Sequence, residues 1–598
     1  MTLGRPEYVS DLIVYLLNQL GIDYATTNPG ATTRGMHESI VSYGANRSPE
    51  MITCCHEELA VAMAEGYYLA TGKPLAALVH NIVGLQHASK AIYEAWLAGV
   101  PMLVIGGTGP VDLSHRRPWI DWIHTPQVQG QIVRDYVKWD DQPEGARSVA
   151  ESILRAYQIA MTEPRGPVYL CFDVELQEAL LPEDFDIPDV SRYLPGHPPA
   201  GNPQAIAEAA QALMDAEWPV ILAQEMGLTP GGSDALVSLA ELMGVPVIEV
   251  GPSFSLPNTH PLNVTGANSD VLRDADLVLT IGVKDIDNSL KTPVHQAGSI
   301  PEGLPRIPSS NIRRYESLIS ESTKLVRIGL EDYGVKSWVS HYGRLTAADV
   351  PILGDGAEVL KELANICKGS MNGATEAKAK TRTSKAEEIN SGIRGKAQTD
   401  LRERWWDQTP ISTARLASEI WDVIKDEDWV LVHGSLSGWE KRLWNTIDEK
   451  HWVAGGGGTG TGMGVAMGAA LAYRGTDKMC VSIQNDGDLL YTPGSLWTVA
   501  HHEIPMLVVM FNNKAYYQDV GHQRAVTTLR ERSLENLNVG VSLEGPDTDF
   551  ATLARSFSIY GDGPITQPGD ISSALKKGLR VVKEEGKAAL IDTVTQPR

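Results

Sequence analysis

The sequence predicts an α/β protein with three doubly wound domains, each built on a parallel β-sheet. One unit occurs three times, at 95–105, 239–248 and 502–509: a helix, a short turn with an apolar residue before proline, and a strand. The strand is continuously apolar in each unit, which is typical of a parallel sheet covered by helices on both faces. Three such units in 598 residues indicate three domains of similar construction.

Changes in composition predict where these domains begin and end. A proline-rich passage at 181–203 separates the first from the second, and a polar passage rich in lysine and alanine at 368–404 separates the second from the third. The second passage has fair helical propensity but poor apolar periodicity, so we expect a solvent-exposed linker. The expected organisation is 1–185, 200–365, a linker at 366–401, and 402–598.

Composition also excludes several classes of function. A hydrophobic content of 43% fits a globular protein, and a formal charge of −23 argues against a surface for nucleic acid or anionic membranes. Five cysteines are too few for a disulfide framework in a chain of this size. No leader and no run of about 18 apolar residues is present, so we expect a cytoplasmic enzyme.

The most informative pattern joins two strand ends in the third domain. Asp486 follows one strand, a helix is predicted at 493–502, and an apolar strand at 506–511 leads to Asn512 and Asn513. Carboxyl ends of parallel strands meet at one edge of a sheet, and Mg²⁺ prefers oxygen ligands of this kind. Either short motif alone is more often an ordinary turn, so the spacing between them carries the prediction.

Two motifs resemble those of thiamine diphosphate (ThDP) enzymes. The 485–488 stretch and the Asn-Asn pair about 27 residues later are similar to the family's G-D-G-x and N-N motif. Residues 64–74 read A-E-G-Y-x-x-A-T-G-K-P and follow Glu57, as in the family's helix that begins at a glutamate. On these motifs the chain is identified as a member of the acetolactate synthase/benzoylformate decarboxylase superfamily.

The resemblance places Glu57 at the position of the glutamate that activates the cofactor. A carboxylate there hydrogen-bonds N1′ of the aminopyrimidine and favours the tautomer that deprotonates the thiazolium C2. The alternative is that Glu57 and Glu58 only stabilise the N-terminus of their helix. The matching downstream helix and the metal motif favour the catalytic role for Glu57.

Three further residues are candidates for moving protons on the substrate. His80 ends a strand where decarboxylase-type relatives carry a histidine, although a structural histidine is the alternative. His124 lies in a loop where relatives place an active-site pair. Asp519 falls where pyruvate decarboxylase-like enzymes carry an acidic catalytic residue, and an exposed helix face is its alternative.

Several loops resemble the family's cofactor contacts. Asn28, Pro29 and Gly30 are similar to a turn that lies beside the pyrimidine in benzoylformate decarboxylase-like members. A strand followed by small residues from Gly434 suits a phosphate, and the glycine-rich segment at 454–468 resembles the one that supports the bent cofactor. The expected contacts in the third domain are Gly434, Ser435, Leu436, Gly457, Thr459, Thr461, Asp486, Gly487, Asp488, Asn513, Ala515 and Tyr516.

The motif implies that Mg²⁺ is bound by the side chains of Asp486 and Asn513 and by the carbonyl of Ala515. Two places depart from the family pattern. Thr459 occupies the place of an apolar wedge between the two cofactor rings. Gly462-Met463-Gly464 is closer to oxalyl-CoA decarboxylases and 2-hydroxyacyl-CoA lyases than to acetolactate synthases.

The middle domain carries little functional signal. Its first strand, at 219–222, is not followed by the glycine-rich turn of flavin-binding relatives, and 279–285 lacks the R-F-D-D-R signature of acetolactate synthases. FAD is therefore doubtful. The middle domain could bind the adenine of ADP or CoA, or it could bind no ligand.

The resemblance implies cleavage or formation of a C–C bond next to a carbonyl. The first expectation is a 2-oxo acid decarboxylase or carboligase, a lyase or transferase of the acetolactate synthase type. The alternative is a 2-hydroxyacyl-CoA lyase that releases formyl-CoA and an aldehyde or ketone, and a distant one is an inactive regulatory homologue. The family further implies a homodimer or homotetramer, in which Glu57 acts on cofactor held by Asp486 and Asn513 of the partner subunit.

Overall fold

A computed structural model describes residues 3–251, 254–294, 314–330, 345–448 and 458–597. These residues form three α/β domains, each with its own parallel sheet, and the predicted fold class is confirmed. Each of the three predicted helix-proline-strand units ends in a strand of a different sheet. Buried apolar side chains lie on both faces of the sheets, as expected for parallel strands covered by helices.

The first domain has six parallel strands in the order β2-β1-β3-β4-β6-β5. Its strands are β1 (Tyr24–Thr27), β2 (Glu50–Thr53), β3 (Ala76–Val79), β4 (Leu103–Thr108), β5 (Asp140–Asp141) and β6 (Val168–Asp173). Its helices are α1 (Val9–Gln19), α2 (Arg34–Val41), α3 (Glu57–Thr71), α4 (Asn81–Ala98), α5 (Asp121–His124), α6 (Ala146–Met161) and α7 (Val174–Glu178).

The middle domain has five parallel strands in the order β13-β12-β9-β7-β8, and a separate antiparallel pair, β10-β11. Its strands are β7 (Pro219–Gln224), β8 (Val247–Val250), β9 (Leu277–Ile281), β10 (Lys291–Val294), β11 (Arg314–Ser317), β12 (Lys324–Gly329) and β13 (Val350–Leu353). Its helices are α8 (Pro203–Asp215), α9 (Gly232–Met243), α10 (Asn268–Arg273), α11 (Ile286–Ser289) and α12 (Gly356–Ser370).

The segment expected to be a solvent-exposed linker contains a helix of 28 residues, α13 (Gly373–Asp400), which continues into a π-helical turn at Leu401–Trp405. One narrow stripe of α13, formed by Ala379, Arg382 and Ala386, is buried. The Arg382 guanidinium donates hydrogen bonds to carbonyl groups of the middle domain. Because this stripe is one residue wide and includes an arginine, apolar periodicity in the sequence does not reveal it.

The third domain has five parallel strands in the order β14-β15-β16-β18-β17. Its strands are β14 (Trp429–His433), β15 (Met479–Asn485), β16 (Leu507–Asn512), β17 (Tyr560–Ile565) and β18 (Ala589–Val594). Its helices are α14 (Thr413–Ile424), α15 (Trp439–Leu443), α16 (Gly462–Ala472), α17 (Asp486–Tyr491), α18 (Ser495–His501), α19 (Tyr517–Leu529), α20 (Phe550–Ser556) and α21 (Ile571–Glu585).

Helices α3 and α16 cross in direct backbone contact and join the first domain to the third. A Cβ atom at Gly66 would lie 1.9 Å from the carbonyl oxygen of Val465, and one at Gly468 would lie 1.9 Å from that of Met63. Only glycine allows such an approach. The crossing therefore fixes how the helix that begins at Glu57 sits against the glycine-rich segment of the third domain.

Among the described residues, none of the helices has the length and apolarity needed to cross a membrane.

Candidate active site

Glu57 is the first residue of α3, and the fold places it beside the start of α4. Its side chain is 8% exposed, and its Oε2 atom lies 3.0 Å from Nδ1 of His87. The Oε1 atom faces Gly84, where a Cβ would be only 3.0 Å away. The predicted catalytic carboxylate is thus buried, with one oxygen bound by an imidazole and the other over a residue without a side chain.

His80 caps the N-terminus of α4 on the same side as Glu57. Its Nδ1 lies 3.0 Å from the Thr32 hydroxyl, which also accepts a hydrogen bond from the backbone N–H of Asn81. The turn that contains Asn28, Pro29 and Gly30 passes directly over this ring, since a Cβ at Gly30 would lie 2.3 Å from the His80 ring. The structure therefore brings the predicted turn and the predicted histidine together.

His124, the last residue of α5, packs against His80. The two ring centroids are 5.2 Å apart in an edge-on arrangement. Burial lowers the pKa of His80, the charge of His124 lowers it further, and Glu57 acts in the opposite direction. Burial and His124 therefore favour the neutral form of the His80 imidazole.

Asp486, at the end of β15, lies next to the loop that follows β16. It is 2% exposed, and its Oδ1 accepts a hydrogen bond of 2.9 Å from the Gly487 N–H. Its Oδ2 is buried and has no hydrogen-bond partner among the described residues. Burial raises the pKa of Asp486, and the nearby backbone N–H groups of Gly487, Lys514 and Ala515 oppose this, although only that of Gly487 is within hydrogen-bonding geometry. The predicted convergence of the two strand ends is present.

Asn513 and its neighbours form a fixed turn. Lys514 has a left-handed backbone (φ 58°), which lets Asn513 Oδ1 accept a hydrogen bond of 3.1 Å from the Ala515 N–H. Ala515 is bridged to Ser542, so the position of its carbonyl group is set by the backbone. The Tyr516 ring covers Gly487, where a Cβ would lie 2.4 Å from the ring.

The other asparagine of the pair, Asn512, points into the domain instead. Its amide donates a hydrogen bond of 3.1 Å to Asp592, which also accepts one from the Phe550 N–H. Burial raises the pKa of Asp592 to about 6, with a smaller contribution from the charge of Asp486. The sequence motif does not separate these roles, because Asp592 lies in β18, 80 residues further along the chain.

Asp488 and the glycine-rich segment meet at the start of α16. The Asp488 side chain accepts a hydrogen bond from the Gly460 N–H, and burial raises its pKa. The Thr461 hydroxyl donates a hydrogen bond of 2.7 Å to Glu94 of the first domain, so this segment is tied to α4. Thr459, the expected wedge, is exposed, and Gly457 lies outside the described residues.

The Gly434 loop uses some of its donors within the protein. Gly434 has a φ of 91°, and a Cβ there would lie 2.2 Å from the Ile483 carbonyl oxygen. The Ser435 hydroxyl and the Leu436 N–H both donate to the buried carboxylate of Glu440, each at 2.9 Å. Two of the predicted cofactor contacts, Ser435 and Leu436, therefore already donate hydrogen bonds to a carboxylate of the protein itself.

The Asp519 side chain makes no hydrogen bond or ion pair with these groups among the described residues. It is exposed on α19, and its ion pair is with His522 at 3.6 Å. The arrangement matches the exposed helix face that the sequence left as the alternative.

The glycines of Gly462-Met463-Gly464 have a packing role. A Cβ at Gly464 would lie 2.5 Å from the Cβ of Ala62 on α3, and one at Gly462 would lie 2.2 Å from the Asp488 carboxylate. The helix crossing and the adjacent carboxylate therefore account for the motif without any substrate contact.

Sequence reasoning missed His87, Glu94, Glu440 and Asp592. A signal existed for His87: His80, Gly84 and His87 are spaced by four and three residues, which puts them on one face of α4. The partners of Glu94 and Asp592 are distant in sequence, and Glu440 follows the Gly434 loop without belonging to any motif.

The middle domain, for which the sequence left open an adenine site or no ligand, has a cleft of about 620 Å³. It opens at the carboxyl ends of β7 and β9, between which the strand order reverses, and its lining includes Gln224, Gly282 and Lys284. Arg165 and other residues of the first domain close its opposite side. Crevices at such a reversal are common ligand sites in doubly wound sheets.

Family models match all three domains. The model described as "Thiamine pyrophosphate enzyme, N-terminal TPP binding domain" matches residues 8–134, the central-domain model matches 206–300, and the C-terminal TPP binding domain model matches 433–593. The first match contains Glu57 and His80, and the last contains Asp486 and Asn513.

The chain is similar to relatives over nearly its whole length. It is 24% identical to a probable acetolactate synthase large subunit of Methanocaldococcus jannaschii, over 91% of this chain and 85% of the relative. It is 23% identical to a benzoylformate decarboxylase of Pseudomonas aeruginosa, over 90% and 91%. The fold superposes on a Rhodococcus jostii ThDP-dependent 4-hydroxybenzoylformate decarboxylase with a TM-score of 0.73, 20% identity, and coverage of 98% of this chain and 99% of that one. The chain is therefore a member of the thiamine pyrophosphate-dependent enzyme family, with all three of the family's domains.

Proposed function

We propose that the chain is a ThDP- and Mg²⁺-dependent enzyme that cleaves or forms the C–C bond next to the carbonyl of a 2-oxo acid. Decarboxylation or carboligation is the reaction class that we favour. Two relatives that match nearly the whole chain carry names for these reactions: benzoylformate decarboxylase for decarboxylation and acetolactate synthase for carboligation.

One observation carries the proposal: the unpartnered Oδ2 of Asp486. A buried carboxylate oxygen without a partner is costly, and a cation relieves that cost. Asn513 and the Ala515 carbonyl lie in the turn beside it, so three oxygen groups are available for Mg²⁺. The diphosphate of the cofactor would complete such a site.

On the first domain, Glu57 would hold the aminopyrimidine of the cofactor. Bound ThDP supplies an electron sink for the bonding pair of the cleaved bond. His80, neutral and paired with His124, would move a proton at the substrate. Asp519 is the least supported of the proposed catalytic residues, because it faces solvent.

The 2-hydroxyacyl-CoA lyase reaction ranks second. Its main support was Gly462-Met463-Gly464, which packing now explains. We further propose a homodimer or homotetramer in which Glu57 and Asp486 of different subunits share one cofactor.

The test is product analysis by mass spectrometry after incubation with ThDP, Mg²⁺ and a panel of 2-oxo acids and 2-hydroxyacyl-CoAs. We expect CO₂ loss or carboligation with one 2-oxo acid, dependent on added ThDP and reduced at least about a hundredfold in Glu57→Gln. Formyl-CoA release from a hydroxyacyl-CoA would establish the second candidate instead. Turnover at the wild-type rate in Glu57→Gln would contradict both, and no turnover of the wild type on any substrate would favour a regulatory homologue.

A further inference from the structure

The two oxygens of the Glu57 carboxylate have different surroundings. Oε2 is 3.0 Å from Nδ1 of His87, whereas Oε1 packs against Gly84, where a Cβ would lie 3.0 Å away. Proton exchange with a bound heterocycle requires one correctly directed oxygen, so the group that fixes the carboxylate plane matters.

The His87 ring is itself held in place. It stacks on His56, with centroids 4.9 Å apart and planes inclined by 22°. His56 is anchored in turn, because its Nδ1 accepts a hydrogen bond of 3.1 Å from the Glu58 N–H at the start of α3. The ring that contacts Glu57 is thus supported by the N-cap of the helix that carries Glu57.

We propose that His87 is a positioning residue: it holds Oε2 of Glu57 so that Oε1 points at the cofactor. This inference rests on the proposed function, in which Glu57 contacts the aminopyrimidine. His87 is half-exposed and contacts Oε2, so it can orient the carboxylate while Oε1 keeps its separate contact at Gly84.

Two substitutions separate the donor from the ring. His87→Asn keeps an N–H donor close to the place of Nδ1 but removes the stacked ring, and His87→Phe keeps the ring against His56 but removes the donor. Because the side chain is half-exposed, neither change empties a core position. Similar melting temperatures of the two variants serve as the folding control.

The kinetic expectation is a loss of kcat in His87→Phe of about tenfold or more, the scale of one hydrogen bond to a charged group. The apparent Kd for ThDP should change much less, and His87→Asn should recover most of the lost kcat. In the double variant with Glu57→Gln, His87→Phe should cause no further loss, since it acts through Glu57. An equal loss in both backgrounds, or kcat in His87→Phe within about twofold of wild type, would overturn the proposal.

The structural readout does not need the reaction. Crystal structures of the cofactor-free variants should show the Glu57 carboxylate rotated in His87→Phe and unchanged in His87→Asn. The crystals should be prepared with a chelator, because His56, Glu57 and His87 place possible metal-ligand atoms within 4.8 Å of one another. An unmoved Glu57 in His87→Phe overturns the positioning role. ThDP-independent turnover of the wild type would instead defeat the proposed function, so the two failures are distinguishable.

Discussion

Glu57 and Asp486 are both buried carboxylates at the start of a helix, yet their surroundings differ. Glu57 has a partner from its own domain on Oε2 and lies among three histidines, His56, His80 and His87. Asp486 is held at Oδ1 by the Gly487 N–H but has no partner for Oδ2 among the described residues. One oxygen of Glu57 is thus bound by a side chain, whereas the second oxygen of Asp486 has no such partner among the described residues.

The difference indicates what each domain contributes. A carboxylate whose orientation is already fixed is suited to chemistry, because no rearrangement is needed at the moment of reaction. A buried carboxylate without a partner is suited to binding, because a cation supplies the missing interaction. Substitutions at the two sites should therefore have different effects: loss of turnover at Glu57, and loss of cofactor binding at Asp486.

The largest effect is expected for Glu57→Gln. Loss of the acid–base group should lower kcat by about 10²–10⁴-fold. Stabilisation by ThDP and Mg²⁺ should persist, because the metal side is untouched. Steady-state kinetics measure the loss of kcat, and thermal melts of the same preparation measure the stabilisation by ThDP and Mg²⁺. Loss of the ligand-induced stabilisation in this variant would mean that Glu57 serves binding instead.

Subunit mixing tests whether the two carboxylates act in one site across subunits. Glu57→Gln and Asp486→Asn should each be inactive, but co-expression should restore about a quarter of wild-type activity, since half of the dimers are mixed and each has one intact site. Glu57→Gln mixed with itself is the matched control. If both carboxylates of one chain served the same site, no mixture would be active.

An intermediate effect is expected for the stability of Asp486→Asn. Wild type should gain about 2.7 kcal/mol when ThDP and Mg²⁺ are present at a hundredfold excess over Kd. Asp486→Asn should lose most of this gain while the cofactor-free chain melts no lower than wild type, because an unpartnered charge has been removed. Asp519→Asn is the control on an exposed acid of the same domain. A full gain in Asp486→Asn would place the metal elsewhere.

The smallest effect concerns Asp592, which lies beneath the metal side. Its folded pKa of about 6 exceeds the usual value of 3.8, so its contribution to stability is present below pH 4 and is lost as the pH rises through 6. Asp592→Asn should flatten this dependence by about 2 kcal/mol between pH 4 and 7. Urea unfolding at several pH values measures it, and an unchanged pH slope would contradict the shift.

The sheets and the two halves of the site were predictable because their signals are local. The strand that follows Pro505 is apolar throughout, and parallel strands bring Asp486 and Asn513 to one edge whatever the rest of the chain does. The α3 helix is likewise predictable from its own sequence, which begins with a glutamate, contains small residues and ends at a glycine, Gly72.

Other features depended on contacts between distant segments. Nothing in the Asn-Asn pair says that Asn512 binds Asp592 whereas Asn513 forms a turn. Gly464 resembled a mark of CoA chemistry, but the reason for it lies on α3, at Ala62, about 400 residues away. A sequence pattern indicates that a position requires glycine, but it does not identify the neighbouring residue that leaves no room for a side chain.

The crossing of α3 and α16 has a consequence for how such a chain tolerates divergence. Because carbonyl oxygens of Val465 and Met63 fill the space at Gly66 and Gly468, the spacing of the two helices is set by backbone thickness, not by side-chain size. A methyl group at Gly66 would push the axes apart by about 1.5 Å to reach ordinary van der Waals contact. Two glycines thus set the distance between the first and third domains of one chain, whose half-sites belong to two different active sites in the proposed oligomer.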